Sequence, residues 1–184
     1  MPTTKKPRKV EPSIAPPAKG GMEGFANLLR AGVVDAAPAF RGIDFEGRKS
    51  KWLELVGELY ATIEKDWLKK LISRGDIQAL ESPLRINEQF IGAYDAVRLS
   101  LAMDGAFVEL TPRGTLVAGA NGRVDMSGPG GEVMLVLESP DDASVPFPKK
   151  TFFWAAVSPS SRSIRVPLDK DTFGDALTKL VAPF

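Results

Sequence analysis

The chain has no cysteine and no histidine among its 184 residues. Lack of thiols excludes a disulfide framework, thiolate metal sites and cysteine nucleophiles; lack of imidazole excludes histidine ligands and every Ser-His-Asp relay. No metal and no cofactor is expected, and any catalysis would have to run on carboxylates, amines and hydroxyls. Long apolar runs are missing too. The longest, Val133 to Leu137 and Phe152 to Val157, fall far short of the ~20 residues of a membrane-spanning helix. No apolar stretch follows the charged residues Lys5 to Lys9, so no secretory signal reads through. The expectation is a soluble protein without a membrane partner, cytoplasmic or assembled in a virus-like particle, with no small-molecule substrate identified.

What is present is the composition of a folded chain: 43% hydrophobic, 26% charged and 8% aromatic residues in 19.8 kDa, enough for one main core. Proline and positive charge, however, are unevenly placed. Residues 1–21 hold Pro2, Pro7, Pro12, Pro16 and Pro17, five of the fifteen prolines, and no aromatic residue. Such a segment buries too little surface to offset its ordering entropy. Lys5, Lys6, Arg8, Lys9 and Lys19 against Glu11 make it net +4, so in a chain of net +1 the remainder carries −3. Three readings of this basic arm stay open. The cations can meet nucleic-acid phosphates and release counterions; the arm can serve only solubility; or Val10, Pro12, Ile14, Pro16 and Pro17 can dock on a protein partner.

The rest, residues 22–184, reads as one α+β domain. Residues 22–47 suggest an irregular strap, with Phe25, Leu28, Leu29, Phe40, Ile43 and Phe45 as short apolar groups among glycines. Residues 48–104 suggest a helical hairpin. Trp52, Val56, Leu59, Ile63, Trp67 and Leu71 recur at helical spacing up to Gly75, a C′ candidate. Ser82 as N-cap and Pro83 at N1 then predict a second helix through Ile86, Phe90, Tyr94, Val97 and Leu101, ending at Gly105. Both tryptophans of the first stripe read as core anchors. Residues 105–184 turn to strand patterning: Phe107–Thr111, a turn at Pro112-Arg113-Gly114, Thr115–Ala118, an Asn121-Gly122 hairpin signal, Val133–Leu137, Thr151–Val157 and Ser163–Leu168. Phe173, Leu177, Leu180 and Val181 add a short terminal helix, stopped by Pro183. Helices before strands predict an antiparallel sheet.

Chemistry is harder to find. No glycine cluster ends in Gly-Lys-Ser/Thr, so a phosphate-binding loop is not indicated. The carboxylate candidates are Glu138, Asp141, Asp142, Asp169 and Asp171. Asp141 and Asp142 lie in a Pro-rich loop, and Asp169 and Asp171 precede a helix whose free amides they can cap. Ser158, Ser160 and Ser161 flank Pro159 without a base beside them. No catalytic residue is nominated, and the chain is not expected to be an enzyme.

One pattern is similar to a family. The segment Trp67 to Ile77, with its Ser73-Arg74-Gly75 stop, the Tyr94 to Leu101 helix running into Asp104 to Gly114, and the tetrad Pro159-Ser160-Ser161-Arg162 resemble the small subunit of tailed-phage terminases. The likeness covers about a third of the chain. It implies a non-catalytic, oligomeric DNA-recognising protein that presents viral DNA to a packaging motor. Two functions are expected from these observations. The first is a structural or assembly subunit of a larger, phage-like complex, homo-oligomeric or bound to protein partners, whose arm docks on a neighbour. The second is a nucleic-acid-binding adaptor for DNA packaging, with Lys5, Lys6, Arg8, Lys9 and Lys19 on phosphate.

Overall fold

Asp44 starts the first helix: its Oδ1 accepts from the Gly47 amide at 2.7 Å, satisfying one of the free N–H groups at the helix start. The computed structural model describes residues 43–117, 119–158 and 161–182. Lys5, Lys6, Arg8, Lys9, Lys19, Val10, Pro12, Ile14, Pro16 and Pro17 lie outside the described residues, as do most of the strap, the Pro159-Ser160 pair and Pro183. Helix α1 spans Phe45–Thr62 and buries Trp52, Leu55, Val56, Leu59 and Tyr60. It therefore begins within the expected strap. A π-helical turn, Ile63–Trp67, follows, closed by Leu68 N–H on Ile63 O at 2.8 Å. Helix α2, Lys69–Arg74, ends at Gly75, whose φ of 81° is the left-handed stop expected there.

The second helix does not form. Residues 77–103 are instead a long hairpin of β1 (Ile77–Glu88) and β2 (Gly92–Met103), paired antiparallel from Ile77↔Met103 to Glu88↔Gly92. Gly92, at φ 88°, follows the three-residue turn, a loop length that commonly places a left-handed residue at its end. The apolar spacing misleads because the ribbon changes the face it buries. Ile77, Leu99 and Leu101 are buried with one parity, and Ile86, Glu88, Tyr94 and Ala96 with the other. The changeover puts a spacing of three between Ala96 and Leu99, and Phe90 and Val97, which complete the helix-like pattern, are exposed. Pro83 sits within β1, an edge strand, where a missing N–H is tolerated.

The sheet continues through β3 (Ala106–Gly114), β4 (Gly122–Gly128), β5 (Gly131–Glu138), β6 (Phe153–Ser158) and β7 (Ser161–Pro167), all neighbours in chain order and all antiparallel. The expected turn at Pro112-Arg113-Gly114 is a register shift inside β3, and Thr115 to Val117 form no strand. Asn121-Gly122 ends a longer connection, whereas Pro129-Gly130 makes the tight turn between Gly128 and Gly131. Helix α3, Lys170–Val181, is capped by Asp169 and buries Phe173, Ala176, Leu177 and Leu180.

The α+β class with an antiparallel sheet and a C-terminal helix is thus the observed one. One face of the sheet, with Val133, Leu135 and Leu137, forms the main core with α1 and α3. Trp52 packs against Trp154 at 5.9 Å between centroids and Trp67 against Phe173 at 5.2 Å, so the tryptophans anchor the core. Met134, Val136, Ala155 and Val157 form a small second cluster on the opposite face, with Ala120 packed on it. Among the described residues no helix is long and apolar enough to cross a membrane.

Candidate docking groove

None of the nominated carboxylates stands ready for chemistry. Glu138 pairs with Arg165. Asp141 accepts from the Thr151 amide at 2.5 Å, and Asp142 accepts from the Ser144 amide at 2.7 Å and from its hydroxyl at 2.6 Å. The Ser144 bonds hold the Asp142 carboxyl below its ordinary range. Asp169 accepts from the Thr172 amide at 2.8 Å, and that bond lowers its pKa as well. Asp171 sits in the first turn of α3. Each serves a loop, a cap or an ion pair. Among the described residues no cluster of three or more His, Cys, Asp or Glu could hold a metal ion.

Five arginines on the sheet are likewise committed. Asp125, whose side chain is only 4% exposed, accepts from Arg113 Nε at 2.7 Å and also pairs with Arg123. Arg98 reaches Glu109 at 3.3 Å, Arg85 reaches Asp95 at 2.7 Å, and Arg165 donates to Gly119 O at 2.9 Å besides pairing with Glu138. A phosphate approaching these strands meets cations already neutralised by neighbours.

A different region is open. The middle of the β1–β2 hairpin stands away from α1 and leaves a groove of about 670 Å³, lined by Leu53, Val56, Gly57, Tyr60, Pro83 and Val97 among others. That volume falls in the range of ligand and peptide pockets. Helical geometry aligns Leu53, Gly57 and Tyr60 along it, at i, i+4 and i+7. Tyr60 is anchored by its hydroxyl, which donates to Leu110 O at 3.0 Å with Val97 O at 3.3 Å. Burial holds this hydroxyl well above the ordinary phenol range. The groove floor is therefore fixed, not collapsible.

Gly57 is the unexpected residue. A glycine in a helix interior costs about 1 kcal/mol relative to alanine. Some glycines here answer to packing: a Cβ on Gly122 would strike the Trp52 ring, and one on Gly130 would strike the Lys179 and Ala182 carbonyls, whereas one on Gly174, in α3, would meet nothing within 4 Å. A Cβ at Gly57 would meet nothing within 4 Å. The side chain is missing where only the open groove would receive it.

Charge marks one end of this groove. Glu81 lines it. Glu64, in the π-helical turn after Tyr60, feels its own burial and the Glu81 charge, which raise its pKa in that order, against the nearby Lys65, which lowers it. Among the described residues neither carboxylate has an ion pair, while Asp95, at the groove's other strand, is paired with Arg85.

No family model, curated protein or solved structure matches the chain. The groove is accordingly read on its own chemistry: an apolar floor, a glycine on its helix wall, and a lining carboxylate, Glu81, outside any ion pair among the described residues.

The groove escaped sequence reading because its two walls were assigned to a pair of packed helices. One signal was available, Gly57 in the middle of the strongest apolar stripe. Also missed was Glu88, buried at the hairpin tip. Its carboxylate accepts from the Thr115 and Leu116 amides, each at 2.7 Å, and from the Tyr94 hydroxyl. Arg48 joins this network, donating to Thr115 Oγ1 and Thr115 O at 2.9 Å, with its guanidinium 4.1 Å over the Phe147 ring. Burial lowers the Arg48 pKa and the Glu88 charge opposes that. Nothing local in the sequence marks Glu88, since its partners lie 27 and 28 residues away.

Proposed function

We propose that this protein is a non-enzymatic assembly subunit, one copy of which docks the basic arm of residues 1–21 on a neighbouring copy in a larger, phage-like complex, working in the cytoplasm or within the particle. The observation that carries this reading is the apolar groove beside α1, lined by Glu81, in a chain whose net positive charge is concentrated at Lys5, Lys6, Arg8 and Lys9. An acidic body and a basic arm attract between copies, and isologous or ring assembly follows from such reciprocity. The committed state of Arg85, Arg98, Arg113, Arg123 and Arg165 supports protein contact over a phosphate-binding face.

The adaptor reading keeps one supporting observation, the arm's five cations. Size-exclusion chromatography with light scattering, on the full chain with and without double-stranded DNA at two salt concentrations, separates the two. The assembly reading expects a mass above the 19.8 kDa of one chain without DNA. A monomer that shifts only with DNA, and loses the shift at high salt, supports the adaptor. A monomer that ignores DNA at both salts contradicts both.

A further inference from the structure

We infer that the groove between α1 and the β1–β2 hairpin is the receptor for that arm: it binds a basic, apolar peptide segment, the basic residues at the Glu64–Glu81 end and an aliphatic side chain over Gly57. This rests on the assembly reading and names the surface that reading requires. The argument has three independent parts. The groove's walls, Leu53, Val56 and Val97, are apolar and its floor is held by the Tyr60 hydrogen bonds, so an occupant gains apolar burial without reorganising the receptor. Gly57 removes a side chain at a position where one would project into open space, which lets an incoming backbone or aliphatic group approach the helix closely. Glu81 lines the groove outside any ion pair among the described residues, and its charge acts on Glu64, which Lys65 offsets only in part. A lysine or arginine from outside relieves that repulsion; a neutral or acidic ligand does not.

The occupant's chemistry follows. It carries at least one cation next to an aliphatic residue. Within this chain, Arg8-Lys9-Val10 has that composition, with Ile14 as a second aliphatic residue after Pro12. Nucleic acid is excluded from this site by the same carboxylates, since a phosphate would meet like charge. A peptide of hydrophobic residues alone would leave Glu81 unpaired. The groove thus discriminates by the pairing of charge with apolar surface and not by either one.

The test uses a fluorescein-labelled synthetic peptide of residues 5–17 and the full chain, read by fluorescence anisotropy at low and moderate salt. Wild-type protein should bind saturably, and unlabelled peptide should compete. Gly57→Leu is the decisive variant. It fills the groove from α1 while replacing a helix-interior glycine with a strong helix former, so its melting temperature should rise while peptide affinity falls at least tenfold. A loss of binding in a more stable protein cannot be ascribed to unfolding. Glu64→Gln with Glu81→Gln should weaken binding about fivefold to tenfold and flatten its salt dependence. Binding unaltered by Gly57→Leu would overturn the groove as receptor, as would no binding by wild type. If the full chain still exceeds the mass of one copy in that case, the assembly reading stands and only the surface is wrong.

Discussion

The two ends of the β1–β2 hairpin solve opposite problems. At its tip the buried carboxylate is fully partnered. Glu88 is 7% exposed yet accepts from two amides and the Tyr94 hydroxyl. Gly114, at φ 107°, leaves room for that carboxylate, which a Cβ there would strike. Burial and the Glu88 charge together push the Tyr94 hydroxyl far above its ordinary range, so it stays a donor. At the middle of the same hairpin the groove is open, a glycine is present that packing does not require, and Glu81 lines the groove outside any ion pair among the described residues. The tip behaves as a latch and the middle as a receptor. On the proposed assembly reading, the open region is the one that meets a neighbouring copy.

The comparison can be broken at the latch or sharpened at the groove. The largest effect should come from Glu88→Ala, which strands the buried Thr115 amide and the Tyr94 hydroxyl; at about 1–3 kcal/mol per unsatisfied buried group, the loss should be about 3 kcal/mol in urea denaturation. Gly114→Ala should cost about 2 kcal/mol, because a non-glycine residue at positive φ is strained and its methyl displaces Glu88. Tyr94→Phe removes a single hydroxyl bond and should cost about 1 kcal/mol. Gly57→Ala should go the other way and stabilise by about 1 kcal/mol in the same assay. If Gly57→Ala destabilises, the glycine serves the fold and the contrast with the latch disappears.

A smaller effect belongs to the far end of the molecule. The Asp169 carboxyl accepts from Thr172 and its pKa is lowered by that bond. A group depressed in the folded state contributes stability above its unfolded pKa and loses it as pH falls through the folded value. Asp169→Ala should therefore lower the melting temperature slightly at neutral pH and leave it unchanged at the acidic end, below the ordinary aspartate range.

Much of this fold is legible in the residues. The α1 stripe, the Gly75 stop, the apolar runs of β5 and β6 and the Asp169 cap all act locally, through spacing and hydrogen bonds within a few positions. What could not be read depends on long-range pairing. Ile86, Phe90, Tyr94, Val97 and Leu101 imitate a helix because the ribbon reverses its buried face between Ala96 and Leu99. Ser82 and Pro83, a fair helix start in isolation, sit in an edge strand that tolerates proline. The Pro112-Arg113-Gly114 signal is spent on a register shift, since Gly114 must accommodate Glu88. The groove was hidden for the same reason: a wall made of strand cannot be seen while it is taken for a helix.

The account stands or falls on the link between groove and assembly. Light scattering of the full chain, wild type against Gly57→Leu at equal concentration, measures it directly. The predicted result is a wild-type mass above 19.8 kDa and a variant that melts higher but has the mass of one chain. Equal masses for the two proteins would contradict it.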